Sequence, residues 1–303
     1  MLPIVYHPDY MAPLRPGHRF PMSKYGYLRQ ALIAEGLLPE VGGYLAPAPA
    51  GFAEIAAVHA PAYVDRVFTQ TCRPEEVRAI GLPDTARVAR RARLSAAGTT
   101  LAARLALEHG IACNAAGGSH HAGPAGGAGF CVFNDVAVAA RALLDSGQVA
   151  RILIVDLDVH QGDGTARIFA GTPAVFTLSV HAERNYPDHK AVSDRDIGLA
   201  DGTEDDAYLA LLRSVLPEVL ALHRPDFVFY NGGVDPHFAD RLGRLALSDA
   251  GISARDFYVF QTVRALGIPV VGVLGGGYDA DVPALGVRHA YMFRAAAASE
   301  GGR

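Results

Sequence analysis

The run Ile152-Leu153-Ile154-Val155 passes without a break into Asp156-Leu157-Asp158-Val159-His160-Gln161-Gly162-Asp163-Gly164. Four apolar, mostly β-branched residues make a buried strand, and three carboxylates and a histidine stand at its end. The two glycines mark a turn into the next helix. Burying charge at the end of a core strand costs on the order of several kcal/mol unless the groups are paired or bind a metal. A chain carrying this stretch must therefore build a sheet whose edge gathers compensating groups.

Other segments repeat the pattern. Strand-like apolar runs at Leu2–His7, Ile111–Ala115, Ala174–Val180, Asp226–Tyr230 and Pro269–Leu274 alternate with amphipathic helical segments. Asp84 or Thr85 caps a long helix reaching Gly110, in which Leu94, Ala97, Leu101 and Leu105 recur three or four apart. Further helices are expected from Ser23 to near Gly36, over Glu54–Gln70 with a break at Pro61, and over Asp135–Asp145, Thr165–Phe169 and Asp205–Leu222. Two more run from Ser248 to Leu266 and from Asp281 to about Ala298. Continuous rather than alternating apolar strands predict a parallel sheet covered on both faces. No linker or internal repeat interrupts the pattern, so one α/β domain over residues 1–303 is expected.

Bulk properties narrow the function. The formal net charge of −4 offers no broad basic surface, so nucleic acid is not the expected partner. Cys72, Cys113 and Cys131 are too widely spaced for a disulfide framework or a thiolate zinc site. With no leader-like segment, they predict a reducing, cytoplasmic setting. Gly, Pro or charge breaks every apolar run before it could span a bilayer.

Ligands of open parallel sheets bind at the carboxyl ends of strands. Four expected strand ends carry chemistry: His120-His121 between glycines, the Asp156–His160 stretch, Asp235 after Asn231-Gly232-Gly233, and Tyr278 after Gly275-Gly276-Gly277. One such residue alone is an ordinary cap or turn; four at one edge make a site. Residues i and i+2 of an extended segment share a side, so Asp158 and His160 can converge on one ion, with Asp235 as third ligand. One nitrogen and two carboxylates leave a coordination position open for water, as a catalytic zinc requires. Adjacent histidines suit proton transfer, with Asp156 and Asp163 as spare carboxylates to fix their tautomers. Tyr278 can donate to an oxyanion.

These residues resemble a known family. His120-His121, Asp156-Leu157-Asp158-Val159-His160-Gln161-Gly162-Asp163-Gly164 and Gly275-Gly276-Gly277-Tyr278 look like the signature of zinc-dependent histone deacetylases of the arginase/deacetylase superfamily. The likeness runs from about Tyr6 to Ala290. Gly202–Leu209 and Asp240–Leu245 look most like the class IV branch and its bacterial relatives. The resemblance implies a three-layer α/β domain around an eight-stranded parallel sheet. It implies one Zn2+ on Asp158, His160 and Asp235, with His121 as general base and acid and His120 as its electrostatic partner. Asp156 would pair with His120 and Asp163 with His121, and Tyr278 would polarise the scissile carbonyl. Phe130 would line the acyl-lysine channel, with Gly129 and Gly276 against the substrate. Tyr186 would take the place of a channel aromatic that many relatives carry in a Phe-Pro-Gly segment. A structural K+ would sit near Asp156, Asp158, His160, Ser179 and the Val180 carbonyl, and a second near Phe169, Thr172 and Val175. The entrance loop Arg15–Met22 is unlike that of the larger classes. The implied substrate is an acylated lysine in a protein or peptide, carrying acetyl or a longer fatty acyl group.

Other readings compete. An acetylpolyamine hydrolase, acting on small acylated amines, shares the machinery but tends to carry an acidic residue near the channel mouth, where this chain places Leu242. A dimanganese ureohydrolase needs more bridging carboxylates. A non-catalytic acyl-lysine binder would not need the full catalytic set. A dinucleotide-binding protein needs a glycine spacing that Gly275–Gly277 lacks.

Overall fold

The computed structural model describes residues 1–300. Its seven strands are β1 Ile4–Val5, β2 Ile111–Asn114, β3 Ile152–Asp156, β4 Val175–Ala182, β5 Arg195–Leu199, β6 Phe227–Asn231 and β7 Val270–Val273. They form one sheet in the order β1-β2-β7-β6-β3-β4-β5, with every pair parallel. The helices are α1 Lys24–Ala34, α2 Phe52–Ala56, α3 Pro61–Thr69, α4 Pro74–Ile80, α5 Ala86–His109, α6 Asp135–Asp145, α7 Asp163–Phe169, α8 Asp205–His223, α9 Asp249–Ala265 and α10 Val282–Ala298.

The strand alternation divides the core in two. Ile152, Ile154, Phe227 and Phe229 pack on one face with α6 and the alanines Ala102, Ala103 and Ala106 of α5. Leu153, Val155, Val228 and Tyr230 pack on the other face with side chains from α8, α9 and α10. Both faces are therefore dry, and burying each large aliphatic side chain stabilises the fold by about 1.5–3 kcal/mol. The alanines let α5 and α6 approach closely. Thr85 caps α5, accepting from the Val88 N–H at 3.3 Å, and Gly110 ends it in the left-handed region.

The sheet has seven strands where eight are expected. Beyond β1 the sheet continues only as an isolated parallel bridge from Val5 to Leu45, which follows Gly42 and Gly43, both at positive φ. Two elements lie outside the expected set. β5 is an edge strand whose Arg195 and Asp196 are exposed, so it lacks the apolar run that marks its neighbours. α4 begins on Pro74, with Glu76 accepting from the Arg73 N–H at 2.8 Å. Ser23, expected as an N-cap, makes no capping bond; the Lys24 N–H is held by the Pro21 carbonyl at 2.9 Å instead. Among the described residues no helix is long and apolar enough to cross a membrane, and all three cysteines are free.

Candidate active site

Strand order assembles the site. The turns after β2, β7, β6 and β3 carry His120-His121, Gly275–Tyr278, Asp235 and Asp158–His160 in turn, and these four strands are consecutive in the sheet. β7 and β6 fill the gap between β2 and β3, the kind of crossover crevice where α/β sheets bind ligands.

Asp158, His160 and Asp235 each offer an atom within 4.8 Å of the others, and all three are buried. His160 Nδ1 lies 3.0 Å from Asp158 Oδ1 and 3.1 Å from Asp235 Oδ2. The segment is a bend after β3 rather than a continued strand, and backbone donors hold it in shape. Val159 N–H donates to Asp235 Oδ1 at 2.8 Å, His160 N–H to Asp158 Oδ1 at 3.0 Å, and Gly276 N–H to Asp158 Oδ2 at 2.6 Å. A Cβ at Gly276 would run into the Asp235 carboxylate, so glycine is required by close approach.

The donor set fits a divalent cation. Burial and the neighbouring Asp158 carboxylate push Asp235 up to about 7. Burial opposes a charge on His160, yet Asp158 and Asp235 outweigh it and raise the imidazole to about 10. Two buried carboxylates thus draw in whatever positive charge is at hand, and a metal supplies it better than protons.

Behind the triad stand two dyads. His120 Nδ1 is 2.8 Å from Asp156 Oδ2, and His121 Nδ1 is 2.7 Å from Asp163 Oδ1. Asp156 Oδ1 also accepts from Asn231 Nδ2 at 2.9 Å, while Arg167 donates to Asp163 Oδ2. Burial resists charging His120, but Asp156 and Asp158 carry it up to about 9. Burial and the neighbouring charged His120 push His121 down to about 3, against the pull of Asp163. The Tyr278 phenol is held protonated, because burial and the Asp158 and Asp235 carboxylates all oppose its ionisation.

A cavity of about 270 Å³ opens above these groups, lined by Arg19, His121, Gly129, Phe130, His160, Asn185, Tyr186, Leu242 and Tyr278. Gly129, Phe130, Tyr186 and Leu242, expected against the substrate, are in this lining, whereas Gly276 borders a separate, smaller space. The Tyr186 ring stands edge-on to His121 at 4.8 Å. Phe130 holds φ of +66°, an uncommon conformation for a large side chain, pinned by its N–H to the Ile80 carbonyl at 2.7 Å. A smaller space of about 20 Å³ lies deeper, bounded by Phe20, Tyr25 and Arg91 among others. Ser179 faces Asp156 in register across β3 and β4, and its hydroxyl pairs with His181 Nδ1 at 2.9 Å; Val180 follows it in β4. Phe169, Thr172 and Val175 form the turn from α7 into β4, through backbone bonds of 2.9 and 3.0 Å.

Several supports are absent from the sequence reading. Asp135 accepts from the Gly118 and Ser119 N–H groups at 3.2 and 2.8 Å, shaping the turn before the histidines. Asp240 accepts from the N–H of Tyr278 at 2.6 Å and of Leu242 at 2.9 Å, which joins two walls of the channel. Lys24 is buried, its Nζ 3.3 and 3.4 Å from the Gly275 and Gly277 carbonyls. An Asp135 four residues after Cys131 reads as an N-terminal helix acid, and Lys24 as an ordinary helix cation. No local signal marks either as part of a site.

The chain is similar to known proteins over most of its length. The family of histone deacetylase domains matches residues 18–293. The chain is similar to an uncharacterized protein of Picosynechococcus, 48% identical over 294 residues, covering 97% of this chain and 98% of that one. It is similar to histone deacetylase 2 of Arabidopsis thaliana, 32% identical over 270 residues, covering 86% and 70% of the two chains. The fold resembles the crystal structure of an acetylpolyamine aminohydrolase from Burkholderia pseudomallei, with a TM-score of 0.79, 23% identity and 99% of each chain covered.

Proposed function

The chain belongs to the histone deacetylase family, and from that premise we propose that it is a zinc-dependent hydrolase of acyl-lysine amides. The family supports amide deacetylation; the zinc, the lysine and the individual residue roles are our reading. The observation that carries it is the meeting of a two-carboxylate, one-histidine triad with two histidine–aspartate dyads beneath a cavity that His121, His160 and the buried Tyr278 line.

Asp158, His160 and Asp235 would hold the zinc, which when bound acidifies water and polarises a carbonyl. His121 is neutral, with Nδ1 committed to Asp163, so Nε2 accepts the proton of the attacking water. Tyr278 donates its phenolic proton in a hydrogen bond to the carbonyl oxygen as that oxygen gains charge. The proton held on His121 then passes to the leaving lysine amine. His120, charged against Asp156, stabilises the negative charge that develops beside it. Gly129, Phe130, Tyr186, Leu242 and Gly276 would enclose the lysine stem and the amide. Potassium near Asp156, Ser179 and Val180, and near Phe169, Thr172 and Val175, completes the reading as structural support.

The deep space of about 20 Å³ is the size that holds a single water. It suits the methyl of an acetyl group and not a fatty chain, so acetyl is the proposed acyl group. An acetylpolyamine would use the same machinery, but no carboxylate lines the channel to meet its distal amine.

The test is zinc titration of metal-stripped protein against lysine peptides carrying acetyl to myristoyl groups. The expected result is activity saturating near one zinc per chain, fastest on acetyl. Tyr278→Phe should lower kcat by roughly a hundredfold or more while zinc content holds. Saturation at two manganese ions, or an unimpaired Tyr278→Phe enzyme, overturns the reading.

A further inference from the structure

Arginines line the hollows around the channel mouth, and the exposed Asp188, which acts on Tyr186, lies outside those linings. The protein carries a net charge of −4, yet the hollows around the mouth have no Asp or Glu in their linings. Arg19 is the one charged side chain of the channel lining besides the histidines of the site. A neighbouring groove of about 380 Å³ is lined by Arg15, His18 and Arg78 above an apolar floor that includes Leu82 and Pro83. A third hollow adds Arg241 and again Arg15 and His18.

The channel and the groove share a wall. An ideal Cβ on Gly81, in the groove, would lie 3.1 Å from the Phe130 ring, and the His18 ring centroid is 6.2 Å from that of Phe130. Arg15, Arg19 and Arg78 are exposed and take part in none of the ion pairs among the described residues. The carboxylates nearest in sequence are already engaged. Glu75 and Glu76 pair with Arg73 and Arg66, and Asp84 accepts from the Cys72 N–H. Asp240 is bound to the N–H groups of Tyr278, Leu242 and Gly243.

We propose that this basic track is a docking groove for an acidic peptide segment flanking the acylated lysine. The inference rests on the acyl-lysine reading above and sharpens its substrate. Unpaired guanidinium groups beside a channel attract carboxylates and repel cations over roughly a Debye length. An apolar floor suits peptide side chains, which a sugar–phosphate backbone does not offer. A lysine set among acidic residues is therefore favoured, while a basic tail or a polyamine is repelled at the entrance.

The test compares kcat/KM of the zinc-loaded full chain on acetyl-lysine peptides identical except for flanks of Asp and Glu, of Ser, or of Lys and Arg. The expected order is acidic, neutral, basic, spanning roughly tenfold at low ionic strength and shrinking as salt is added. The double charge reversal Arg15→Glu with Arg78→Glu should invert the order, and Arg19→Gln should narrow it. A flat series, or a preference for basic flanks or acetylated spermidine, overturns the groove while leaving the acyl-lysine chemistry standing. If no peptide is hydrolysed, that chemistry fails on its own. Binding of the same peptides by fluorescence anisotropy then decides the groove: an acidic preference keeps it, whereas equal binding, or tighter binding of a single-stranded oligonucleotide, discards it.

Discussion

His120 and His121 are adjacent in sequence, and their pairs with Asp156 and Asp163 are nearly equal in geometry, at 2.8 and 2.7 Å through the same ring nitrogen. Their protonation is opposite: His120 is drawn up to about 9 and His121 pushed down to about 3. Burial opposes charge on both. What separates them is the next neighbour, since His120 has Asp158 within 3.7 Å of Nε2 while His121 has the charged His120, its ring centroid 4.0 Å away. Asp163 also divides its charge with Arg167. A histidine–aspartate pair is therefore not a unit with fixed chemistry; the second neighbour sets which member of the pair can accept a proton.

The comparison breaks first if the two histidines prove interchangeable in catalysis. His121→Ala should cost roughly 10²–10⁴ in kcat, the span expected for loss of a general base. His120→Ala, which removes an electrostatic partner, should cost less. Single-turnover kinetics at matched zinc content will show it, and equal losses would sink the assignment.

A second test uses metal-free protein and its stability against pH. His120 has a raised folded value, so its contribution is complete below the unfolded value of about 6.5 and is lost as pH rises through about 9. His121 has a lowered one, so its contribution holds above about 6.5 and is lost as pH falls toward about 3. The alkaline limb is worth on the order of 3 kcal/mol and the acid limb on the order of 5 kcal/mol. Denaturant unfolding should show His120→Gln flattening the alkaline limb and His121→Gln the acid limb; the reverse pattern would refute the difference.

The smallest effect falls at the edge of the second dyad. Arg167 is nearly half exposed, so Arg167→Ala should lower kcat by less than about threefold. A loss approaching that of His121→Ala would mean that Arg167, not His120, governs the protonation of His121.

Much of this was legible in the sequence. Continuous apolar runs announced six of the seven strands, because buried parallel strands have no polar face to interrupt them. β5 escaped because an edge strand is half solvent, and Arg195-Asp196-Ile197-Gly198-Leu199 shows no such run. The eighth strand came from family likeness, and the sheet has seven, with only an isolated bridge from Val5 to Leu45 beyond β1. The Asp158, His160 and Asp235 cluster and both dyads were legible because their residue types stand at strand ends. Asn231, Asp135, Asp240 and Lys24 were not, since each supports the site through a partner distant in sequence. The basic mouth was hidden too, averaged away in a net charge of −4.

By itself the sequence determined the succession of the buried strands and of every helix but α4, the position of each reactive residue at a strand's carboxyl end, and the chemical type of every donor. These depend on local pattern and on residue identity. Only the tertiary structure decided that β2, β7, β6 and β3 stand side by side, bringing the turns that carry residues 120, 278, 235 and 158 to one edge of the sheet. It alone decided which histidine is charged. Strand order is settled by packing between segments far apart in the chain, Ile111 of β2 pairing with Val270 of β7 and Ile152 of β3 with Phe227 of β6. The charge on a buried imidazole is settled by the sum of fields from neighbours that the chain brings together only when folded.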